Sequence, residues 1–421
     1  MYEWARDLFP ICRSLSGEGV RETLRYFKKI LPALQIREVP SGKQVFDWVV
    51  PKEWNIRAAY IEDEYGNRIV DFKKHNLHIV GYSTPIDMVM ELDELDKHLY
   101  SIPDQPDVIP YITSYYKERW GFCLTHNQRT QLKPGRYRVL IDSTLQAGLL
   151  NYGELIIRGE TDEEILLSTY ICHPSMANNE LSGPVVTAAI AEWIMAQPKR
   201  RYTYRILFLV ETIGSIIYLS RHCDHLQKHL RAGFVLSCVG DDRDYSFMPS
   251  RYGDTLADRV ALHVLANHTD RFTKYSFLDR GSDERQYCSP NIGLPVVSIM
   301  RSKYATFPEY HTSADDLSLI SPAGLFGALR VYIAALTILE HNYFYEVTVQ
   351  GEPQLGKRGL YPTISTKETA AKTRDLMNVI GYADGNTDLL QLAENIGLSA
   401  LRVMELMRPL IDAGLLRKVG R

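Results

Sequence analysis

Residues 165–183 read Ile-Leu-Leu-Ser-Thr-Tyr-Ile-Cys-His-Pro-Ser-Met-Ala-Asn-Asn-Glu-Leu-Ser-Gly, and this segment is the most informative of the chain. Its apolar first half predicts a strand buried on both faces, which delivers His173 to its carboxyl end. A short polar loop follows, and the next helix is predicted to begin at Leu-Ser-Gly, with Pro184 in its first turn. A neutral imidazole at a strand end, with oxygens of Asn179 and Glu180 at the helix start, is a sound way to hold zinc. Taken alone, His173 is more often a structural histidine than a ligand.

The same rhythm of apolar strand, loop and helix recurs from about residue 140 to residue 345, and it predicts a three-layer α/β domain. Strands are expected at 154–158, 164–170, 205–210, 233–239 and 295–300, and helices at about 183–197, 214–230, 254–268 and 321–340. Functional groups in such domains gather on loops beyond the carboxyl ends of the strands. Polar residues at these loops are therefore candidates for one shared site.

Three further loops carry candidate residues. Glu211 follows an apolar strand and is placed as a general base, since partial burial raises the pKa of a carboxylate. The alternative is a carboxylate that caps the following helix or pairs with an arginine. Asp241, after the next strand, is either a metal ligand or a turn residue. His311 lies in a loop before the last helix of the domain.

The order of these motifs resembles the zinc aminopeptidase superfamily. More closely, it resembles bacterial aminopeptidase-like proteins whose genes often lie among surface-polysaccharide biosynthesis genes. The resemblance extends to Cys-Arg-Ser-Leu-Ser-Gly-Glu-Gly-Val-Arg at 12–21, Phe-Asp-Trp-Val-Val-Pro-Lys-Glu-Trp at 46–54 and Trp-Gly-Phe-Cys at 120–123. It implies a zinc-aminopeptidase-like α/β core at 1–36 and 140–350, an inserted β-rich domain at 37–139 and a winged helix-turn-helix at 365–421.

The resemblance also implies a ligand set, from which this chain departs. Asn179 stands where the superfamily has an aspartate that bridges two zinc ions, and Thr212 stands where it has a ligating glutamate. The usual strand-end aspartate aligns near Ser237, which leaves Asp241 as a substitute. One zinc ion is therefore expected rather than two, with Glu211 as the base. The expected ligands are His173, His311 and an oxygen from Asn179, Glu180 or Asp241.

The reaction class that follows is hydrolysis of an amide or peptide bond in a small amide, peptide or sugar-linked substrate. Candidates to orient an anionic or sugar-bearing substrate are Arg251, Arg285, Arg301 and Tyr304. Each of them has a structural ion pair or an ordinary surface position as its alternative. Two other functions stay open: a catalytically silent scaffold that binds a ligand or partner, and a winged-helix regulator that binds DNA.

The composition excludes several classes of protein. The 421 residues, 45% of them hydrophobic, suffice for two or three domains. The balance of 48 Lys+Arg against 51 Asp+Glu makes neither nucleic acid nor a membrane an expected partner. No signal-peptide pattern, membrane-span-length apolar run or CxxC spacing is seen, so a cytoplasmic protein is predicted. The C-terminal unit is near neutral too, so it is expected to mediate protein contacts, such as homo-oligomerisation, rather than DNA binding.

Overall fold

The computed structural model describes residues 1–360 and 367–419. The chain forms two compact units, Met1–Asp258 with Arg271–Leu329 and Arg259–Asp270 with Arg330–Arg421. The boundaries of the three predicted domains remain a prediction. Residues 365–366 and 420–421, at the two ends of the predicted winged helix, lie outside the described residues.

The helices and strands are as follows. The α-helices are α1 (Tyr2–Leu8), α2 (Glu18–Ile30), α3 (Leu92–Leu95), α4 (His126–Thr130), α5 (Ser182–Ala196), α6 (Ile213–His229), α7 (Leu256–His268), α8 (Glu284–Tyr287), α9 (Pro322–His341), α10 (Lys367–Tyr382), α11 (Leu389–Ile396) and α12 (Ala400–Asp412). The strands are β1 (Gln35–Pro40), β2 (Gln44–Val45), β3 (Trp48–Val49), β4 (Glu53–Asp63), β5 (Arg68–Asp71), β6 (Ile86–Glu91), β7 (Leu99–Tyr100), β8 (Phe122–Cys123), β9 (Arg136–Gln146), β10 (Leu149–Ile157), β11 (Glu164–Tyr170), β12 (Thr203–Leu209), β13 (Leu230–Val235), β14 (Ser246–Met248), β15 (Thr273–Lys274), β16 (Val296–Met300), β17 (Phe344–Val347), β18 (Asp384–Asp388) and β19 (Leu416–Val419). A π-helical turn, Ala177–Leu181, directly precedes α5.

The first unit is built on an eight-stranded sheet in the order β1-β10-β12-β11-β13-β16-β14-β15. Its middle strands β12, β11, β13 and β16 are parallel. Every residue of β11 and β12 is buried, as the continuous apolar runs of the sequence predict for strands covered on both faces. Helices α5 and α6 pack on these parallel strands and α2 packs on the neighbouring β10, which confirms the predicted α/β core.

A second sheet in the same unit comes largely from the insert predicted at 37–139, although its strand β9 continues past residue 139 to Gln146. It is antiparallel, in the order β5-β4-β9-β6, and β4 and β9 pair from Glu53↔Gln146 to Asp63↔Tyr137. Burial alternates along β9, so that one face packs inward and the other faces water. The predicted insert is therefore a sheet that is distinct from that of the core.

The second unit has the helix-turn-helix that the sequence predicts. Helix α11 ends at Gly397, whose φ of 69° is the left-handed conformation that glycine adopts at a helix end. Ser399 caps α12 by accepting a hydrogen bond from the Arg402 N–H at 3.2 Å. The sheet of this unit has three strands, because β17 pairs with both β18 and β19.

Helix α9 bears on the expectation that no segment spans a membrane. By length and composition alone, its 20 residues are long and apolar enough to cross one. Half of its apolar 18-residue stretch is buried inside the protein, however, as in the core helix of a soluble protein. The helix is therefore weak evidence for a membrane span.

Candidate functional site

The site lies where neighbouring parallel strands end. Strand β11 pairs with β12 up to Tyr170↔Leu209, and His173 and Glu211 follow these two residues. His311 comes from the loop between β16 and α9. We call the group His173, Glu180, Glu211 and His311 the histidine cluster. Its position beyond the carboxyl ends of the strands is the one that α/β topology favours for a site.

His173 is held from behind by two buried charged residues. Its Nδ1 lies 2.8 Å from Glu180 Oε2, and Glu180 Oε1 lies 3.7 Å from Arg13 Nε. Arg13 also donates from Nε to the His173 carbonyl oxygen at 3.0 Å. The exposed fractions of Arg13, His173 and Glu180 are only 1%, 2% and 0%. These contacts fix the imidazole ring and leave its Nε2 on the side of Glu211.

Glu211 faces that free nitrogen. Its Oε2 lies 3.7 Å from His173 Nε2, and its Oε1 accepts a hydrogen bond from Ser282 Oγ at 2.8 Å. Burial raises the pKa of Glu211, while the charges of His173 and Arg285 and the hydrogen bond from Ser282 oppose that rise. The side chain keeps 23% of its surface exposed. Glu211 is therefore placed to exchange a proton with a group bound beside the imidazoles.

The turn after Glu211 is strained and is held by Asp283. Thr212 has φ 63° and ψ −75°, which a β-branched residue adopts only under constraint. Its N–H donates to Asp283 Oδ1 at 2.7 Å, and its Oγ1 accepts from Arg285 at 2.6 Å. Burial, and then the charge of Glu211, raise the pKa of Asp283 to about 7. Asp283 thus positions the turn that aims Glu211.

His311 completes the cluster from the opposite loop. Its ring centroid lies 5.3 Å from that of His173, and it stacks on Tyr310 at 3.8 Å. The ring of Tyr111, from the insert, lies 5.1 Å from both imidazoles. Burial, and then the neighbouring His173, lower the pKa of His311 to about 3, so this imidazole is neutral. Its Nε2 is buried without a hydrogen-bond partner.

Asp241 and Asn179, two of the predicted oxygen ligands, contact residues outside the histidine cluster. Asp241 is occupied by other residues, because its Oδ2 accepts from Asn178 Nδ2 at 2.8 Å and from the Ser302 N–H at 3.0 Å. The Asn179 N–H donates to Asp315 Oδ2 at 2.9 Å, and its side-chain Nδ2 is buried without a partner. Asp241 therefore holds the loop at the entry to α5.

The four predicted substrate-orienting residues separate into two pairs. Arg285 reaches Thr212, next to Glu211, and Tyr304 accepts from the Gly281 N–H at 2.7 Å, within the loop that carries Ser282. The other two side chains contact residues outside the histidine cluster: Arg251 lies against Tyr252, and Arg301 lies over the ring of Tyr245 at 4.0 Å.

Sequence reasoning missed several residues of this site, namely Arg13, Tyr111, Ser282 and Asp283. Arg13 stands in the 12–21 motif that carries part of the resemblance, and the 281–286 loop is noticeably polar. No local pattern singles out Tyr111. The helical histidines 222, 225 and 229 lie apart from the cluster, and His225 Nε2 bonds Glu164 Oε1 at 2.8 Å.

Two arrangements of donors in this site could hold a metal ion. The ligand atoms of Cys172, His173 and Glu180 lie within 4.8 Å of one another, but this arrangement uses the Nδ1 that already bonds Glu180 and lies close to the Arg13 guanidinium. A cation there would face a buried positive charge. The second arrangement takes Nε2 of His173 and the imidazole of His311, whose ring centroids lie 5.3 Å apart. Imidazole nitrogens are ligands that zinc accepts, and the Glu211 carboxylate beside them stays free to act as a base. Among the described residues, His173, His311 and Glu211 do not form a group of three ligand atoms within 4.8 Å of one another.

Comparison with known proteins identifies the family. A family model described as Domain of unknown function (DUF4910) matches residues 2–342, and one described as winged helix-turn-helix matches residues 343–418. A Clostridium acetobutylicum protein, named for polysaccharide biosynthesis and an aminopeptidase-like domain, is 45% identical over 405 residues, or 96% of this chain and 92% of that protein. The chain belongs to this aminopeptidase-like family. The resemblance inferred from the motifs is thereby confirmed.

Solved structures agree with the aminopeptidase-like assignment. A crystal structure described as that of a peptidase from Clostridium acetobutylicum has a TM-score of 0.94 and 43% identity, and the match covers 99% of this chain and 96% of that one. A zinc aminopeptidase from Bacillus subtilis has a TM-score of 0.56 at 13% identity, covering 80% of this chain and 93% of that one. The second likeness shows the fold alone, and zinc is a property of that neighbour.

Proposed function

We propose that this aminopeptidase-like protein is a single-zinc amidohydrolase that cleaves an amide or peptide bond in a small substrate, such as an amide-bearing sugar of surface-polysaccharide metabolism. The main support for this proposal is the hydrogen bond between Glu180 Oε2 and His173 Nδ1, 2.8 Å long. A carboxylate on the far nitrogen of a ligating histidine is the usual support of zinc sites, since it fixes the tautomer and the ring orientation. The carbohydrate part of the proposal is supported by the name of the Clostridium relative.

Two residues would hold the ion, His173 and His311, each through Nε2. Neutral imidazole is the form that binds metal, and the low pKa of His311 keeps it in that form. Burial lowers the pKa of His173, but the hydrogen bond to Glu180 and the charges of Glu180 and Glu211 outweigh it and raise that pKa, so a bound metal ion has to displace a proton from its Nε2. A second ion lacks a bridging carboxylate, because Asn179 carries no charge and Asp241 is already hydrogen-bonded to Asn178 and Ser302. When bound, zinc supplies a lowered pKa for water and polarisation of the substrate carbonyl.

The residues of the chain supply the rest of the chemistry. Glu211 accepts the proton of the attacking water and returns it to the leaving amine, a role that its raised pKa suits. Ser282 fixes one carboxylate oxygen of Glu211, so that the other remains available. Tyr111 covers the two imidazoles and limits the access of water to them.

Metal analysis tests this proposal. Protein purified without a histidine tag should contain about one zinc per chain. Glu211→Gln should abolish hydrolysis of amide substrates and keep the zinc, whereas the exposed Glu94→Gln should change neither. Loss of zinc in Glu211→Gln would instead make Glu211 a ligand. Less than about 0.2 zinc per chain after reconstitution would overturn the hydrolase proposal.

A ligand-binding scaffold without catalysis is the second candidate. It is favoured by the contact at Thr212, whose hydroxyl is engaged by Arg285 rather than directed to a metal. A binding protein would show ligand affinity with no zinc and no turnover. Homo-oligomerisation through the second unit and a cytoplasmic location remain predictions, which sedimentation and cell fractionation would test.

A further inference from the structure

An exposed apolar stripe runs along α12, the second helix of the helix-turn-helix. One face of this helix is buried within the second unit, and Leu401, Met404, Arg408 and Ile411 share the opposite side, because residues three or four positions apart lie on one side of a helix. Leu401 and Ile411 have exposed fractions of 38% and 40%. Apolar residues repeated at this spacing on an exposed helix are typical of a surface that packs against another helix.

A groove lies beside the stripe. It is lined by side chains of α12, β17 and β19 and by the last residue of α9, all of which belong to the second unit. Its volume is ≈ 660 Å³, and Tyr345 and Met404 are among its lining residues. A volume of this size holds several side chains rather than one. We call the stripe and this cavity together the α12 groove.

The charges along the exposed side of α12 are balanced. Arg402 Nη1 lies 2.7 Å from Glu405 Oε2. Arg408 and Asp412 form no ion pair with any residue that the structure describes, although they too are exposed and lie one helical turn apart. A helix that reads DNA carries a basic excess, whereas these two arginines are matched by two acidic residues. The α12 groove therefore suits a protein surface with charges of both signs.

The pattern along α12 is complementary to itself when a second copy runs in the opposite direction. If Leu401 of one copy is placed against Ile411 of the other, the two apolar stripes lie on each other over their whole length. In that register Arg408 of one copy comes next to Glu405 of the other. Because the arrangement has two-fold symmetry, each of these contacts occurs twice.

The same register also brings together the remaining charges. Asp412, which forms no ion pair within the described part of its own chain, comes beside Arg402 of the other copy. A parallel arrangement of the two helices would instead place each side chain against its own counterpart, so that like charges would meet. The apolar residues and the charges therefore favour one antiparallel register, with the two-fold axis beside the middle of α12.

We propose that the α12 groove binds a second copy of this chain, with the two α12 helices packed antiparallel about a two-fold axis. An interface between identical copies requires a surface that is complementary to itself, and the α12 groove meets this requirement in both its apolar residues and its charges. Neither an unrelated protein nor DNA would require such a pattern. The inference is independent of the proposed hydrolysis, since the α12 groove and the histidine cluster share no residue.

The test is sedimentation equilibrium of the full-length protein between about 0.5 and 50 µM. The wild-type protein should reach twice the chain mass of 48.2 kDa within this range. Ile411→Asp should weaken dimerisation at least about a hundredfold, because the new carboxylate would be buried against Leu401 of the other copy. Arg374→Glu reverses an exposed charge on α10, outside the α12 groove, and should leave the dimer unchanged. Circular dichroism verifies that each variant is folded.

Exchange of two charges tests the antiparallel register. Arg408→Glu places a carboxylate next to Glu405 of the other copy, and Glu405→Arg places a guanidinium next to Arg408. Each variant alone should weaken dimerisation about tenfold, since two contacts change in every dimer. The double variant restores opposite charges across the interface and should recover most of the wild-type affinity. Such rescue is expected only where copies of the same chain meet.

A wild-type protein that stays monomeric at about 50 µM would overturn the inference. So would a dimer that Ile411→Asp leaves intact, because the interface would then lie elsewhere on the chain. A double variant that dimerises no better than the single variants would refute the antiparallel register. Retention of duplex DNA that Arg408→Glu abolishes would assign the α12 groove to DNA instead.

Discussion

Replacing Glu180 by glutamine tests the buried support of His173 directly. Arg13 and Glu180 are 1% and 0% exposed, and 3.7 Å separates Arg13 Nε from Glu180 Oε1. The amide keeps the shape of the side chain but leaves the guanidinium buried without a counter-charge. Removing one partner of a buried ion pair costs about 3–5 kcal/mol. We expect the free energy of unfolding of the first unit to fall by that amount.

Urea denaturation followed by tryptophan fluorescence measures this change, because residues 4, 48, 54, 120 and 193, the five tryptophans, all belong to the first unit. The matched control is Glu163→Gln. Glu163 Oε1 lies 2.7 Å from Arg231 Nε, but the two side chains are 31% and 51% exposed, so the expected cost is about 0–1 kcal/mol. If Glu180→Gln destabilised the protein no more than Glu163→Gln, the Arg13–Glu180 pair would not support the site.

Three further outcomes are expected. Burial, and then His78, lower the pKa of His75 to about 4, so the unfolded chain binds more protons between pH 6.5 and 4 and stability is lost as the pH falls through that range. In His75→Asn, the new side chain can still accept the hydrogen bond from the Leu77 N–H. Between pH 7 and 4.5 the free energy of unfolding of this variant, measured by urea denaturation, should fall by about 2 kcal/mol less than that of the wild-type protein. An equal fall in the two proteins would show that His75 is not responsible for the pH dependence. Gly183→Ala places a Cβ 2.2 Å from the Leu236 carbonyl oxygen and should destabilise the first unit by about 1–3 kcal/mol by the same fluorescence assay; a neutral effect would show that the backbone yields easily. Gly381→Ala in α10 adds a Cβ that has no atom within 4 Å, and alanine favours a helix more than glycine does. The free energy of unfolding of the second unit should therefore rise by about 0.5 kcal/mol, measured by thermal denaturation followed by circular dichroism. A fall would show that the new Cβ meets a neighbouring atom.

The sequence predicts the core well because its signals are local. Continuous apolar runs predict the buried strands, and β11 has the predicted bounds, 164–170, without a shift. His173 and Glu211 follow those strands directly, and the topology of parallel strands then brings them to one edge. The same holds for α11 and α12, where glycine and serine mark the helix ends.

The residues that sequence reasoning missed make contacts over long distances along the chain. Arg13 bonds the carbonyl oxygen of a residue 160 positions away, and neither its spacing nor its neighbours reveal that burial. Glu180 also depends on Arg13. The sequence predicts Glu180 as a zinc ligand, whereas in the structure its partners are Arg13 and His173 Nδ1. Asp241 is similar, since Asn178 and Ser302 become its neighbours only when the loops fold together.

The insert has a larger part in the site than its place in the sequence suggests. Its segment around Ile109 pairs with the loop that carries His311: the Tyr111 N–H donates to the His311 carbonyl oxygen at 2.8 Å, and the Ile109 N–H donates to Ser313 Oγ at 2.9 Å. His311 has a φ of 57°, a strained conformation that these contacts help to hold. Because the core supplies the imidazoles and the insert supplies their cover, exchange of the insert should change which substrate is accepted before it changes the chemistry performed.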